Sequence, residues 1–238
     1  MKPDKNLKFS ILYRSVVGLG MAVIGISLYR VIHDQIPGYW MLLALLAAIA
    51  GSFSLKIPGM NGRVSAGDTI TCLTVLLFGP FAGVISATVD ALSGSFRCKT
   101  SSRRFQFALY NSANSAISAL AAGYATLALL GKPMLYGQAD SNVSSLILPL
   151  FVLAVAYYIL NTGLVAAAVA AEKSLNFFNI WRDGFMWTCV NYMAGAFVAG
   201  MLSQVPEPFS PAKLAAVVVS CLAAFISCKA HVRLAKAN

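Results

Sequence analysis

Charge is what this chain has least of. Of 238 residues only 8 are acidic and 18 basic, so charged residues make up 11%. A soluble domain carries about 25%. A shell that faces water on all sides cannot be built from so few charges, which excludes an ordinary soluble fold. Histidine is rarer still: His33 and His231 lie near opposite ends, which argues against a histidine-based metal centre. The five cysteines, Cys72, Cys98, Cys189, Cys221 and Cys228, form no C-x-x-C pair. Odd in number and scattered, they fit neither a disulfide framework nor a zinc ribbon. The signatures HExxH, Walker loop and GxSxG are also missing. The expectation is a protein that is not an enzyme and carries no cofactor. Paired aspartates can share a proton in a protease site, but the spacing of Asp68 and Asp90 lends that reading no specific support.

What is present is apolar: 58% of residues are hydrophobic, and the mean hydropathy is +0.74. The reading is an all-α polytopic integral membrane protein, a single transmembrane domain over 1–238. Apolar runs fall at about 11–32, 39–56, 67–78, 80–96, 105–130, 146–171, 180–203 and 212–231. Crossing the hydrocarbon takes about 20 helical residues. The runs at 67–78 and 80–96 are short, and Gly79-Pro80 separates them. They form either one kinked helix, giving seven segments, or a short broken pair, giving eight. The N-terminal basic and apolar stretch is interrupted by Arg14 and lacks a prompt cleavage site, so it reads as a retained first helix.

Loop charge separates the two topologies. With eight segments and an inner N-terminus, one side receives Lys2, Lys5, Lys8, Lys56, Arg63, Arg97, Lys99, Arg103, Arg104, Lys173, Arg182, Lys229, Arg233 and Lys236. The other receives mainly Arg30, Lys132 and Lys213. This bias favours the hairpin, with both termini cytoplasmic. The same loop bias accounts for the net charge of +10 without nucleic acid, since no aromatic and basic platform accompanies the charges. Turn clusters at 36–38, 57–59, 131–133 and 206–211 punctuate the runs, and Tyr39-Trp40, Tyr136 and Trp181 suit an interfacial aromatic belt. Asn142 begins a glycosylation-type triplet of little weight.

Ionisable and polar groups at membrane depth are the functional candidates. Asp68 opens an apolar run, where a carboxylate can cap a helix start and still touch a ligand. Asp90 lies ten residues beyond Pro80, about 15 Å along a helix. It is read as a ligand or ion contact, a partner of Arg97 or Arg14, or a group at the interface. Arg14 is expected to reach toward the headgroups and Glu172-Lys173 to be solvated. Asn111 and Asn114, Tyr157 and Asn161, and Trp187 and Asn191 lie on three further runs, with Tyr110, Tyr158 and Tyr192 among them. Residues three or four apart share a helical face. These groups can build a ligand pocket, or they can join helices by hydrogen bonds. Gly195, Gly200 and the Ala44–Ala48 spacing permit close helix approach.

The runs LKIPGMNGRVSAGDTITCLTVLLFGPFAGVISATVDALSGSFR, FALYNSANSAISALAAG, YYILNTGLVAAA and WRDGFMWTCVNYMAGAFVAG resemble the multi-helix membrane sensor region that precedes GGDEF or HD-GYP domains in bacterial cyclic di-GMP signalling proteins. The chain has no GGDEF sequence and no HD pair, so the resemblance implies a sensory or anchoring unit without turnover. Its basic exit helix, ending near Lys236, is similar to the place where a cytoplasmic signalling domain attaches. A shorter stretch, IPG, GDT, FGPFAG and Asp90, is similar to the S components of energy-coupling-factor vitamin transporters. That likeness implies an S-component-like helical core, a vitamin-like ligand and a separate energising module. Additional end helices and an inward IPGMNGR loop depart from it. The expectation is a membrane-embedded sensory or ligand-binding module, with transport binding as the alternative. Its partners are the lipid bilayer, a small molecule, a signalling or energising module and, in the sensory case, a second copy met through the exit helix.

Overall fold

The computed structural model describes residues 4–53, 55–56, 63–64, 67–96, 104–134, 143–204 and 211–237. Helices dominate: α1 (Asp4–His33), α2 (Trp40–Ser52), α3 (Asp68–Phe78), α4 (Pro80–Phe96), α5 (Arg104–Leu130), α6 (Val143–Lys173), α7 (Phe177–Phe185), α8 (Cys189–Ser203) and α9 (Pro211–Ala237). Between α2 and α3, β1 (Leu55–Lys56) pairs antiparallel with β2 (Arg63–Val64), Leu55 opposite Val64. The turn cluster at 57–59, the loop residues Arg97 to Arg103, Tyr136, Asn142 and 206–210 lie outside the described residues.

Among the described residues, four helices are long and apolar enough to cross a membrane: Phe9–His33, Phe105–Leu130, Ser144–Lys173 and Phe177–Ser203. Seven or eight hydrophobic segments were expected, with the pair at 67–96 short; α2 and α3 fall below a spanning length, whereas α9 has 27 residues. With 13 and 11 residues, α2 and α3 extend only about 20 and 16 Å, against a hydrocarbon core of about 30 Å. Apolar composition does not distinguish a span from a short helix wrapped in protein. From Thr69 to Phe78 every residue of α3 is buried.

Gly79 produces the turn that makes this burial possible. Its φ of 89° and ψ of 179° belong to a region only glycine enters freely. Pro80 then starts α4, where its fixed φ suits a first helical position and its missing N–H costs nothing. The chain reverses, and a Cβ placed on Gly83 would lie 3.3 Å from the Cβ of Val75. In one continuous helix those residues would stand about 12 Å apart. The two helices are therefore an antiparallel hairpin. One side of it packs on α8 through α3, where a Cβ on Gly195 would meet Thr69 Oγ1 at 2.9 Å. The other side packs on α5 and α2 through α4. At the turn, Phe81 stacks edge-on against Tyr124, and the Arg30 guanidinium lies 5.3 Å above the Phe81 ring.

The run expected as one helix over 180–203 is interrupted. A 3-10 turn at Met186–Thr188 separates α7 from α8. Trp187 Nε1 donates to the Gly184 carbonyl at 2.8 Å, and Thr188 Oγ1 donates to the Phe185 carbonyl at 2.7 Å. Asn176 caps α7, its side chain accepting from the backbone N–H of Phe178 and Asn179.

Candidate functional site

The hairpin carries its carboxylates to the middle of the molecule. Asp90 is buried, 5% exposed, although it lies on a helix whose neighbours Thr88, Val89 and Ala91 are only half-buried. Two glycines make room for it. Gly51, in the last turn of α2, would place a Cβ 2.8 Å from Asp90 Oδ1. Gly67, the residue that caps α3, abuts the same carboxylate. The C-terminal end of α2 and the N-terminal start of α3 therefore meet at the depth of Asp90. Non-helical backbone at such depth is tolerated where it is enclosed by protein or lines a polar cavity.

Asp68 occupies the first turn of α3, with Gly67 at the cap position and no side-chain cap hydrogen bond. The expected carboxylate cap is thus corrected: glycine fills the cap, because the Asp90 carboxylate leaves no space there for a side chain. Asp68 lies within electrostatic reach of Asp90, Tyr157, Tyr192 and Cys72.

Beside the acids runs a chain of amides. Asn114 Nδ2 on α5 donates to Asn161 Oδ1 on α6 at 2.6 Å and to the Asn161 carbonyl at 2.9 Å. Asn161 Nδ2 donates in turn to the Tyr192 hydroxyl on α8 at 2.8 Å. Tyr192 stands edge-on to both Tyr157 and Tyr158, each centroid 5.5 Å away. Five helices, α3 to α6 and α8, thus contribute to one buried polar cluster at the end of α2. It holds two acids, Asp68 and Asp90. Its oxygens and aromatic faces can receive a cation, an amine or a hydrogen-bonding planar group.

Of the eight residues anticipated, Asp68, Asp90, Asn114, Tyr157 and Asn161 come together. Asn111 and Trp187 are engaged elsewhere. Asn111 Nδ2 donates to Ser95 Oγ at 3.2 Å and lines a separate cleft between α1, α5 and α6 with Tyr13, Tyr110 and Glu172. Trp187 is held in the 3-10 turn, and Asn191 is half-buried next to Tyr192 in sequence. Arg14 is exposed. Glu172 is half-buried in the cleft wall instead of solvated, while Lys173 is exposed. Trp181 Nε1 donates to Thr162 Oγ1 at 2.9 Å, and its ring packs on Tyr158. Tyr192, grouped with these polar residues in the sequence though not among the eight, belongs to the cluster. Among the described residues no group of three or more histidine, cysteine, aspartate or glutamate side chains could hold a metal ion.

No family model matches the chain, and neither a curated protein nor a solved structure matches it.

Proposed function

We propose that this chain is a membrane-embedded ligand-binding module that serves a sensory role, with the buried cluster of Asp68, Asp90, Asn114, Tyr157, Asn161 and Tyr192 as its site. One observation carries the reading: two short helices, α2 and α3, stop and start at this cluster. Interrupted helices at membrane depth are costly, and they recur where a ligand or ion is bound between their ends. The ligand is a small molecule with a hydrogen-bonding face that stacks on tyrosine. The chain would lie in a bacterial inner membrane with both termini cytoplasmic, and it would catalyse no reaction of its own.

Sensing requires two helix arrangements with different ligand affinity. The hairpin is the element placed to move, because α3 touches α8, and α8 in turn touches α9. Ligand contact at Asp68 would shift α3 and so tilt the exit helix. A disulfide designed between α4 and a neighbour, in a chain fused to a cytoplasmic reporter, should fix the reporter output in one state. Reporter output that still follows ligand would refute this coupling.

A second reading, binding for transport, is favoured by the same enclosed half-helices, which suit a tightly held ligand. Native mass spectrometry of the detergent-purified chain separates the two. A vitamin-sized molecule that stays bound, together with an ATP-driven partner that co-purifies, supports transport. Release of the ligand on dilution, with dimers formed through α9, supports sensing. Retention of no molecule by the parent chain and no ligand-dependent shift in melting would overturn both.

A further inference from the structure

The cleft between α1, α5 and α6 lies apart from the buried cluster. It encloses about 570 Å³ counting its open mouth, within the range of pockets that hold small ligands. Phe9 and Tyr13 line it from α1, Tyr110 and Asn111 from α5, and Ala168 and Glu172 from α6. Gln106, also in the wall, is exposed and places the mouth at the surface.

The depth of the cleft follows from the spans. Phe9 and Phe105 are the first residues of two membrane-length segments, and Lys173 is the last residue of a third. The lining residues fall within about two turns of these three ends. The mouth therefore lies where hydrocarbon gives way to headgroups, and its neighbours there are lipid molecules. Ala168 and Val165 stand one and two turns deeper on α6 than Glu172, so the cleft continues apolar toward the hydrocarbon.

Two features of the wall select an occupant. The first is aromatic. Tyr13 stacks on Tyr110 with ring centroids 6.0 Å apart, and Phe9 lies against Tyr13 at 6.1 Å. Grouped rings attract ammonium groups. The second is the use already made of the donors. The Tyr110 hydroxyl donates to the Leu164 carbonyl at 2.8 Å, and the Tyr13 hydroxyl donates to the Gln106 carbonyl at 3.4 Å. With their hydrogens committed, both tyrosine oxygens can only accept from a ligand. Asn111 commits an N–H to Ser95, and its Oδ1 is an acceptor. Glu172 already has a partner, but a carboxylate with about four lone-pair sites keeps further capacity to accept. Acceptor oxygens beside aromatic rings suit a group that is cationic and rich in N–H.

We infer that this cleft binds a membrane phospholipid whose headgroup carries a primary ammonium. The ammonium supplies three N–H donors to the oxygens of Tyr13, Tyr110, Asn111 and Glu172. The first methylenes of the lipid lie along Ala168 and Val165. Arg14, exposed and next to Tyr13 in the chain, suits the phosphate. A choline headgroup offers the charge without the N–H, and a glycerol headgroup offers donors without the charge. The site is separate from Asp68 and Asp90 and does not depend on a ligand there.

Thermal unfolding of the full chain in mild detergent tests this, with dioleoyl phosphatidylethanolamine, phosphatidylcholine or phosphatidylglycerol added at equal mole fraction. The ethanolamine lipid should raise the melting temperature saturably. Roughly tenfold more of either other lipid should be needed for the same rise, the loss expected when charge-assisted hydrogen bonds are missing. Tyr13→Leu removes a ring and an acceptor together, and Ala168→Leu narrows the cleft. Each should weaken the response to the ethanolamine lipid about tenfold, measured against its own lipid-free melting. Equal rises with the three lipids would overturn the inference, as would a parent-like response in either variant. An equal rise with soluble phosphoethanolamine would overturn it too, because no acyl chain would then be needed.

Discussion

Glycine positions that differ only in what surrounds them allow packing and backbone propensity to be told apart. Gly67 has an ordinary helical backbone conformation, but the Asp90 carboxylate fills the space a Cβ would need. Gly18 on α1 has open space at the same point. Gly67→Ala should therefore destabilise by about 1–3 kcal/mol, the usual cost of overpacking. Gly18→Ala should stabilise by up to about 1 kcal/mol through helix propensity. Thermal unfolding in detergent reads both, and a Gly67→Ala chain melting at or above the parent would remove the close approach of α3 to Asp90. The amide chain gives a second comparison. Tyr192→Phe removes one acceptor from Asn161 and should cost about 0.5–1.5 kcal/mol, whereas Asn161→Leu strands both Asn114 and Tyr192 and should cost more. Asn161→Leu should also release any retained small molecule, as read by native mass spectrometry. Retention equal to the parent would take the cluster out of the ligand-site reading.

The hairpin is the element on which the interior depends. Its reversal rests on Gly79, whose φ of 89° disfavours every side-chain-bearing residue. Gly79→Ala should cost about 1–3 kcal/mol and loosen the hairpin, so that Cys72, buried in the parent, becomes reactive toward maleimide. Unchanged protection of Cys72 would show that the turn tolerates the substitution. Much of this element was legible in the sequence, because a Gly-Pro pair between two short apolar runs announces a break. Whether the two helices continue in line or fold back was left to loop charge, which favoured the fold-back. The contact of Val75 with Gly83 answers that, since it needs a full reversal. The interruption at Met186–Thr188 was not legible: its residues carry no helix breaker, and it is held by hydrogen bonds back to Gly184 and Phe185.

Among the described residues, four helices are long and apolar enough to cross a membrane, while α3 is buried from Thr69 to Phe78. Loop charge predicts which ends lie on which side. Single cysteines near Ser101 and at Lys236 should react with a membrane-impermeant maleimide only in inside-out vesicles. A cysteine at Lys132 should react only in right-side-out ones. A Lys132 cysteine labelled from the same side as Lys236 would overturn the proposed orientation. Cys72 and Cys221 serve as internal controls, and removing them should not alter the pattern.

Composition alone determined the solvent. So few charges leave no means of covering a water-facing surface, and long apolar runs must then be helical to satisfy their own backbone. It also singled out Asp68 and Asp90, because carboxylates are expensive in such surroundings. Which polar groups share a site was decided by tertiary structure. Asn111 and Asn114 are three residues apart on one helix, yet one bonds to Ser95 and the other to Asn161. Spacing fixes the face of a helix, but the neighbours met by that face depend on the reversal at Gly79 and on glycines that let two helix ends converge on Asp90. Those are contacts between segments far apart in the chain, and no local pattern records them.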